Sequence, residues 1–213
     1  MTAHRARGQR AGLTRQAVLE AAVRLVDREG MKALSMRRLG AELGVEAMTL
    51  YHYVPNKTAL LDGMIEQVVA EAVPPQFGAA TWREDLRAYA HALMAVLAAH
   101  PHAVPLLLSR PAMTPRNLRT MEAVVTMLHE AGFPLRRTLD ILYSLTGFVV
   151  GQAAAQAGGV DGGGELAALD QDAYPLLVAA AREAGEDAAG ERFEFALDAL
   201  LSGFERELAL TRA

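Results

Sequence analysis

Residues 35–62, SMRRLGAELGVEAMTLYHYVPNKTALLD, decide how this chain folds. Ser35 is a residue type that caps helix N-termini, and Met36, Leu39 and Leu43 follow at helical spacing until Gly44 ends the run. A second short helix is predicted over Glu46–Tyr53. Pro55 then bars continuation, and Asn56 caps a third segment carrying Leu60, Leu61, Met64, Ile65, Val68 and Val69 as far as Pro74-Pro75. Two short helices about a tight glycine-containing turn match the helix-turn-helix pattern, whose second helix enters the DNA major groove.

Upstream, Thr14 caps a helix with Val18, Ala22, Leu25 and Val26 on one face, closed by Gly30. Leu39, Leu43, Val45 and Leu50 are expected to pack on Val18 and Leu25. Outward positions then fall to Arg37, Arg38, Thr49, Tyr51, His52, Tyr53 and Lys57. Arg, Lys, Thr and Tyr donate to phosphates, and Arg reads guanine bidentately. Each of these residues taken singly has a plainer reading, as a solvated charge or a half-buried packing residue; their coincidence on one surface favours DNA.

Downstream, Trp82–His100, Pro115–Ala131, Pro134 to about Ala157, and Glu191–Leu210 read as amphipathic or largely apolar helices, with Pro101, Pro105 and Pro111 breaking the stretch between the first two. The run GGVDGGGE at 158–165 is expected to be a mobile loop. No segment shows sustained strand-type alternation, so the fold class is all-α.

At 213 residues and 52% hydrophobic content the chain can bury a core without staples, and with no cysteine it has no disulfide, thiolate metal site or cysteine nucleophile. Residues 1–57 hold ten Lys/Arg against five Asp/Glu, whereas the remainder holds 11 against 20. A basic head on an acidic body suits a polyanion-binding module joined to a part that avoids the polyanion. The basic N-terminus leads into an amphipathic segment, and no stretch approaches the roughly 20 apolar residues of a membrane span, so a cytoplasmic protein with no membrane partner is expected.

The quoted stretch, with its pattern LGV-x-x-x-TLYxxVxNKxALLD, resembles the helix-turn-helix of the tetracycline-repressor (TetR) family, and the match runs from about Thr14 to Val69. The resemblance extends through LLSRPAMTPRNLRTMEAVVTMLHEAGF, AGFPLRRTLDILYSLTGFVVGQ and FEFALDALLSGFE, covering nearly the whole chain. It implies a flexible basic arm at 1–13, a three-helix DNA-binding domain at 14–56, a connecting helix at 57–73, and a larger helical effector-binding and dimerisation domain at 74–213. It also implies a homodimer, most readily a repressor, reading half-sites of a pseudo-palindromic double-stranded operator. Arg37 falls on a base-contacting position and Thr49, Tyr51 and Lys57 on phosphate-contacting ones. His52 and Tyr53 stand where tetracycline repressors have Trp and His. Ala47 and Met48 replace a base-reading Gln-Pro pair, so the operator should differ, with a thymine methyl as the available contact.

For the body, the resemblance and the residue types together suggest an effector pocket at Tyr89, Leu93, Met94, Leu97, Leu106, Ser109, Arg110, Met113, Met121, Val124, Met127, Phe148 and Gln152. Such a lining suits a small apolar or aromatic molecule. A dimer interface is expected at Leu139, Leu142, Leu145, Leu197, Leu200, Leu201 and Phe204. Tetracycline repressors hold a drug–magnesium chelate with a His, a Glu and an Asn; Leu106, Ala155 and Tyr89 stand at those positions here, which argues against that ligand. No cofactor and no metal are expected. Two other classes stay open at this stage: an architectural DNA-binding protein without effector, and a metal-dependent enzyme or sensor built on His100-Pro-His102. No HExxH motif, Walker loop or nucleophile elbow supports an enzyme.

Overall fold

Thr14 opens the first helix through its side chain, which accepts from the Ala17 backbone N–H at 3.1 Å. Helix α1 (Arg15–Glu29) ends at Gly30, whose N–H still donates to the Val26 carbonyl at 2.7 Å while its φ of 79° turns the following chain out of the helix. Ser35 caps α2 (Met36–Leu43) by accepting from Arg38 N–H at 3.1 Å, and Gly44, left-handed at φ 67° and ψ 32°, ends it. A computed structural model describes residues 13–72, 77–78, 81–109, 113–159, 163–184 and 188–212 of the chain, and every regular element among them is helical. The expected arm therefore lies almost wholly outside the described residues.

Helix α3 is shorter than expected. It spans Ala47–Leu50 and passes into tight turns, with Tyr53 N–H and Val54 N–H both donating to the Leu50 carbonyl at 2.9 Å. Pro55 cannot donate, so the helix winds down ahead of it. Gly40 explains how closely α2 and α3 meet: a Cβ there would lie 2.8 Å from the Val45 carbonyl oxygen and 3.2 Å from the Ala47 nitrogen. Asn56 then caps α4 (Lys57–Ala72), its Oδ1 accepting from Ala59 N–H at 2.8 Å.

The body begins with α5 (Trp82–Ala99), held by a capping box in which Thr81 and Glu84 serve each other's backbone N–H groups. After a 3₁₀ turn at Pro101–Ala103 come α6 (Val104–Ser109), α7 (Pro115–Glu130), α8 (Leu135–Ala157), α9 (Gly163–Ala167), α10 (Pro175–Glu183) and α11 (Ala188–Arg212). Helix α6 forms where a broken stretch was expected, because Pro105 sits in its first turn, where no intrahelical N–H is required. The GGVDGGGE run is also part helical: α9 starts at Gly163 with Glu165 in its first turn, where a carboxylate favours the helix dipole. Helix α10, with Pro175 at its start, was not read from the sequence.

The buried core is continuous from Val18 of α1 to Leu208 of α11. Helix α4 packs on both α1 and α5, α8 packs on α5 and α7, and α11 lies against α5 and α8. Arg83 and Arg87 of α5 pair with Glu205, Glu194 and Asp198 of α11, fixing those two helices across their exposed seam. Replacing Gly40 by Ala forces backbone apart at the α2–α3 crossing and should cost about 1–3 kcal/mol. Urea unfolding of G40A against the wild type measures this; an unchanged midpoint would show that the crossing relaxes without cost.

Candidate functional site

The outer surface of the α2–α3 pair carries the DNA-reading candidates. Leu50 and Val54 are fully buried, which turns Met48, Tyr51 and His52 outward from the other side of the short helix. Arg37 and Lys57 are also exposed, while Thr49 and Ala47 are half-buried. Three of the positions expected to face outward, Thr49, Tyr53 and Arg38, are half-buried. Tyr53 is half-buried and packs against the core. Arg38 is committed within the domain, its Nη2 lying 2.6 Å from Glu29 Oε1 and its Nη1 3.6 Å from Glu42. Arg28 joins the same network, 3.1 Å from Glu29 and 3.0 Å from Glu42. These charges tie α1 to α2, and hydrogen bonds from Arg38 and then Arg28 hold the Glu29 carboxyl below the usual glutamate range.

The body encloses a cavity of about 440 Å³ between α4, α5, α7 and α8, with the end of α6 at its edge. That volume lies in the range of small-ligand sites. Of the residues expected there, Tyr89, Leu93, Ser109, Met113, Met121 and Val124 do line it. Leu97, Leu106 and Met127 are instead buried in the core, Met94 packs against that core, and Gln152 is half-buried off the wall. Phe148 stacks on Phe193 of α11 at 5.3 Å, which turns it away from the cavity. Arg110 lies outside the described residues. Neither Leu106 nor Ala155 reaches the cavity wall, while Tyr89 does so as a buried phenol. Burial pushes the Tyr89 hydroxyl's pKa up, and a hydrogen bond with Thr146 partly offsets this.

None of the described residues lining the cavity carries a formal charge. Its polar groups are Tyr89, Ser109, Asn117 and Thr120, with Tyr143 and Thr146 from α8, and its apolar wall includes Ile65 and Val69 of α4. Leu142, expected at a dimer interface, is also a cavity residue; Leu145, Leu197 and Leu201 are fully buried in their own chain and have no surface to offer a partner. Leu139 is exposed, and Leu200 and Phe204 are partly so. Leu135, Leu139 and Tyr143 form an exposed apolar stripe at four-residue spacing along α8, and Phe195 is exposed on α11.

His100, one of the two histidines considered for a metal, ends α5 with Nδ1 2.9 Å from Asp27 of α1 and Nε2 3.5 Å from Glu71 of α4. It bridges head and body. Among the described residues no group of three or more His, Asp or Glu side chains is arranged to hold a metal ion, and no single helix is long and apolar enough to cross a membrane.

Comparison with known proteins places this arrangement. Residues 18–64 match the family described as bacterial regulatory proteins, tetR family, and residues 74–208 match the tetracyclin repressor-like C-terminal domain. The chain belongs to the TetR family. Its TetR-family relatives include the HTH-type transcriptional repressor DrrR1 of Streptomyces coeruleorubidus, 38% identical over 151 residues; the match covers 70% of this chain but only 56% of DrrR1. The class D tetracycline repressor protein of Escherichia coli is 31% identical over 205 residues, covering 93% of this chain and 92% of that one. The crystal structure of apo ActR from Streptomyces coelicolor superposes with a TM-score of 0.81 at 28% identity, covering 94% of this chain and 99% of ActR. ActR has also been solved in complex with actinorhodin, at a TM-score of 0.77 and 27% identity over 93% of this chain and 99% of that one. TetR-family proteins are transcription regulators, not enzymes.

The cavity residues missed from sequence include Ile65 and Val69 of α4, which supplied none of the expected pocket residues, and Thr120, Tyr143 and Thr146 of α7 and α8, which supplied others. The i, i+3 pairs Asn117/Thr120 and Tyr143/Thr146 are the signal that was present, polar residues interrupting otherwise apolar helices. For the head, the lowered Glu29 pKa means its pairing stabilises the fold fully above the ordinary value of 4.5 and fades as pH falls through the lowered one. The melting-temperature gap between wild type and Glu29→Gln should therefore be open at pH 7 and close in acid; a pH-independent gap would show that charge is not what joins α1 to α2.

Proposed function

We propose that this chain is a ligand-responsive transcriptional repressor that binds a pseudo-palindromic operator as a homodimer and is released by a small, apolar or aromatic effector other than magnesium-tetracycline. The observation that carries this reading is the reach of α4. Its first residue, Lys57, is exposed and follows α3 closely in the chain, and the same helix presents Ile65 and Val69 to the cavity. A ligand touching those side chains acts on the element that supports the head. It shifts DNA affinity only by binding more tightly to the conformation that fits DNA less well.

The exposed α8 stripe and Phe195 support a twofold contact through α8 and α11, and a twofold axis suits half-sites in successive major grooves. The resemblance to the TetR-family helix-turn-helix gives Arg37 a base edge to read and Thr49, Tyr51 and Lys57 phosphates to hold, and the exposure of Arg37, Tyr51 and Lys57 supports those roles. The cavity lining, uncharged among the described residues, supports a largely apolar effector, and ActR, solved in complex with actinorhodin, is a similar protein with a bound ligand. The chain works in the cytoplasm, where operator DNA is.

Selection of genomic fragments on the purified protein, followed by fluorescence anisotropy across salt concentrations, should return a short pseudo-palindrome bound roughly a thousandfold or more above random DNA. Lys57→Ala should weaken all sequences alike and reduce the salt slope, whereas Arg37→Ala should cost about 1–3 kcal/mol at one base pair of the half-site. Uniform weak binding would instead make this an architectural DNA-binding protein. Calorimetry with tetracycline and magnesium should give no metal-dependent heat; tight binding there would overturn the effector assignment.

A further inference from the structure

The base-reading end of α3 holds an unusual residue for a polar groove. In a helix-turn-helix the N-terminal residues of the second helix meet the base edges. Helix α3 has only four residues, and of its first three Ala47 and Thr49 are half-buried while Met48 is 70% exposed. Met48 stands on the face opposite Leu50 and Val54, alongside Tyr51 and His52. It is the most exposed large apolar side chain among the described residues of α1–α4. Packing does not explain it, because the core beneath α3 is closed by Leu50 and Val54 without it.

We infer that Met48 reads the C5-methyl group of a thymine in each operator half-site, with Ala47 beside it, so that this position is selected by an apolar contact and not by a hydrogen bond. The inference rests on the operator-binding reading above and names the base chemistry that the site recognises. A methionine has no donor, and its thioether is a weak acceptor, so amino and carbonyl groups on the base edges gain little from it. Among the four bases only thymine offers the major groove an apolar group. The thioether chain is long and adaptable enough to lie along such a methyl, whereas Ala47 alone is short and half-buried. The donors around it have other reach. Arg37 projects from α2 and Tyr51 lies a turn further along, while Arg38 is held by Glu29 and Glu42. The half-site should therefore join a guanine contact from Arg37 to a methyl contact from Met48.

The test uses the full-length protein and the operator recovered by fragment selection. Each thymine is replaced in turn by deoxyuridine, which removes the methyl group and keeps the O4 acceptor. One thymine per half-site, or two adjacent ones, should weaken binding roughly fourfold when replaced in one half-site and roughly fifteenfold in both. Met48→Ala, an exposed substitution that leaves the core intact, should abolish that sensitivity while leaving the salt slope unchanged. Specific binding with a flat deoxyuridine scan would overturn the methyl assignment alone, as would a scan that Met48→Ala leaves intact. Loss of all sequence preference in the wild type would instead overturn the operator reading, and this inference with it.

Discussion

Everything in this molecule hangs on the approach of α4 to α1 at Gly63. A Cβ there would come within 2.6 Å of Leu19, whose side chain is 1% exposed and has little room to yield. Without that notch the two helices would stand further apart, and Leu60, Met64 and Val68 would lose the buried face of α1 that now covers them. The same α4 packs on α5 on its other side. One helix thus serves both head and body, and under the proposed function a displacement of its body-facing half would reach the head because packed interiors transmit shifts.

The head is small, so few interactions define its shape. Gly40 lets α2 and α3 cross at backbone contact, and Gly44 supplies the left-handed turn between them. The network of Arg28 and Arg38 with Glu29 and Glu42 lies over the α1–α2 seam. Exposed ion pairs contribute little individually, and their larger consequence here is allocation. By holding Arg38 against its own domain they leave Arg37 as the outward guanidinium of α2.

The body uses its helices twice in a similar way. Helix α8 turns Leu145 and Val149 into the core, Leu142 and Thr146 toward the cavity, and Leu135 and Leu139 to the surface. Tyr143 is exposed and also lines the cavity, so the surface stripe and the cavity mouth are continuous. At the other end His100 lies between Asp27 and Glu71, joining the end of α5 to α1 and α4. Cavity, surface stripe and head are therefore mechanically adjacent although they are far apart in sequence.

Most of the helical boundaries were legible because they are written in local chemistry. Thr14, Ser35 and Asn56 all act as side-chain caps, and Gly30 and Gly44 end their helices through positive φ. Of the outward set read from helical phase, Arg37, Tyr51, His52 and Lys57 are exposed, whereas Arg38, Thr49 and Tyr53 are half-buried, and the exposure of Met48 was not part of that reading. What periodicity left ambiguous was which neighbour each apolar stripe meets. Leu197 and Leu201 were expected at a dimer interface and lie in the core, and Ile65 and Val69, read only as an apolar face of α4, line the cavity, because a sequence gives the phase of a helix but not the helix across from it. Tertiary packing alone decided those, together with the withdrawal of Arg38 into ion pairs with residues 9 and 4 positions away along the chain. Local capping and phase act within a few residues and survive in the sequence; burial depends on what the rest of the chain brings alongside.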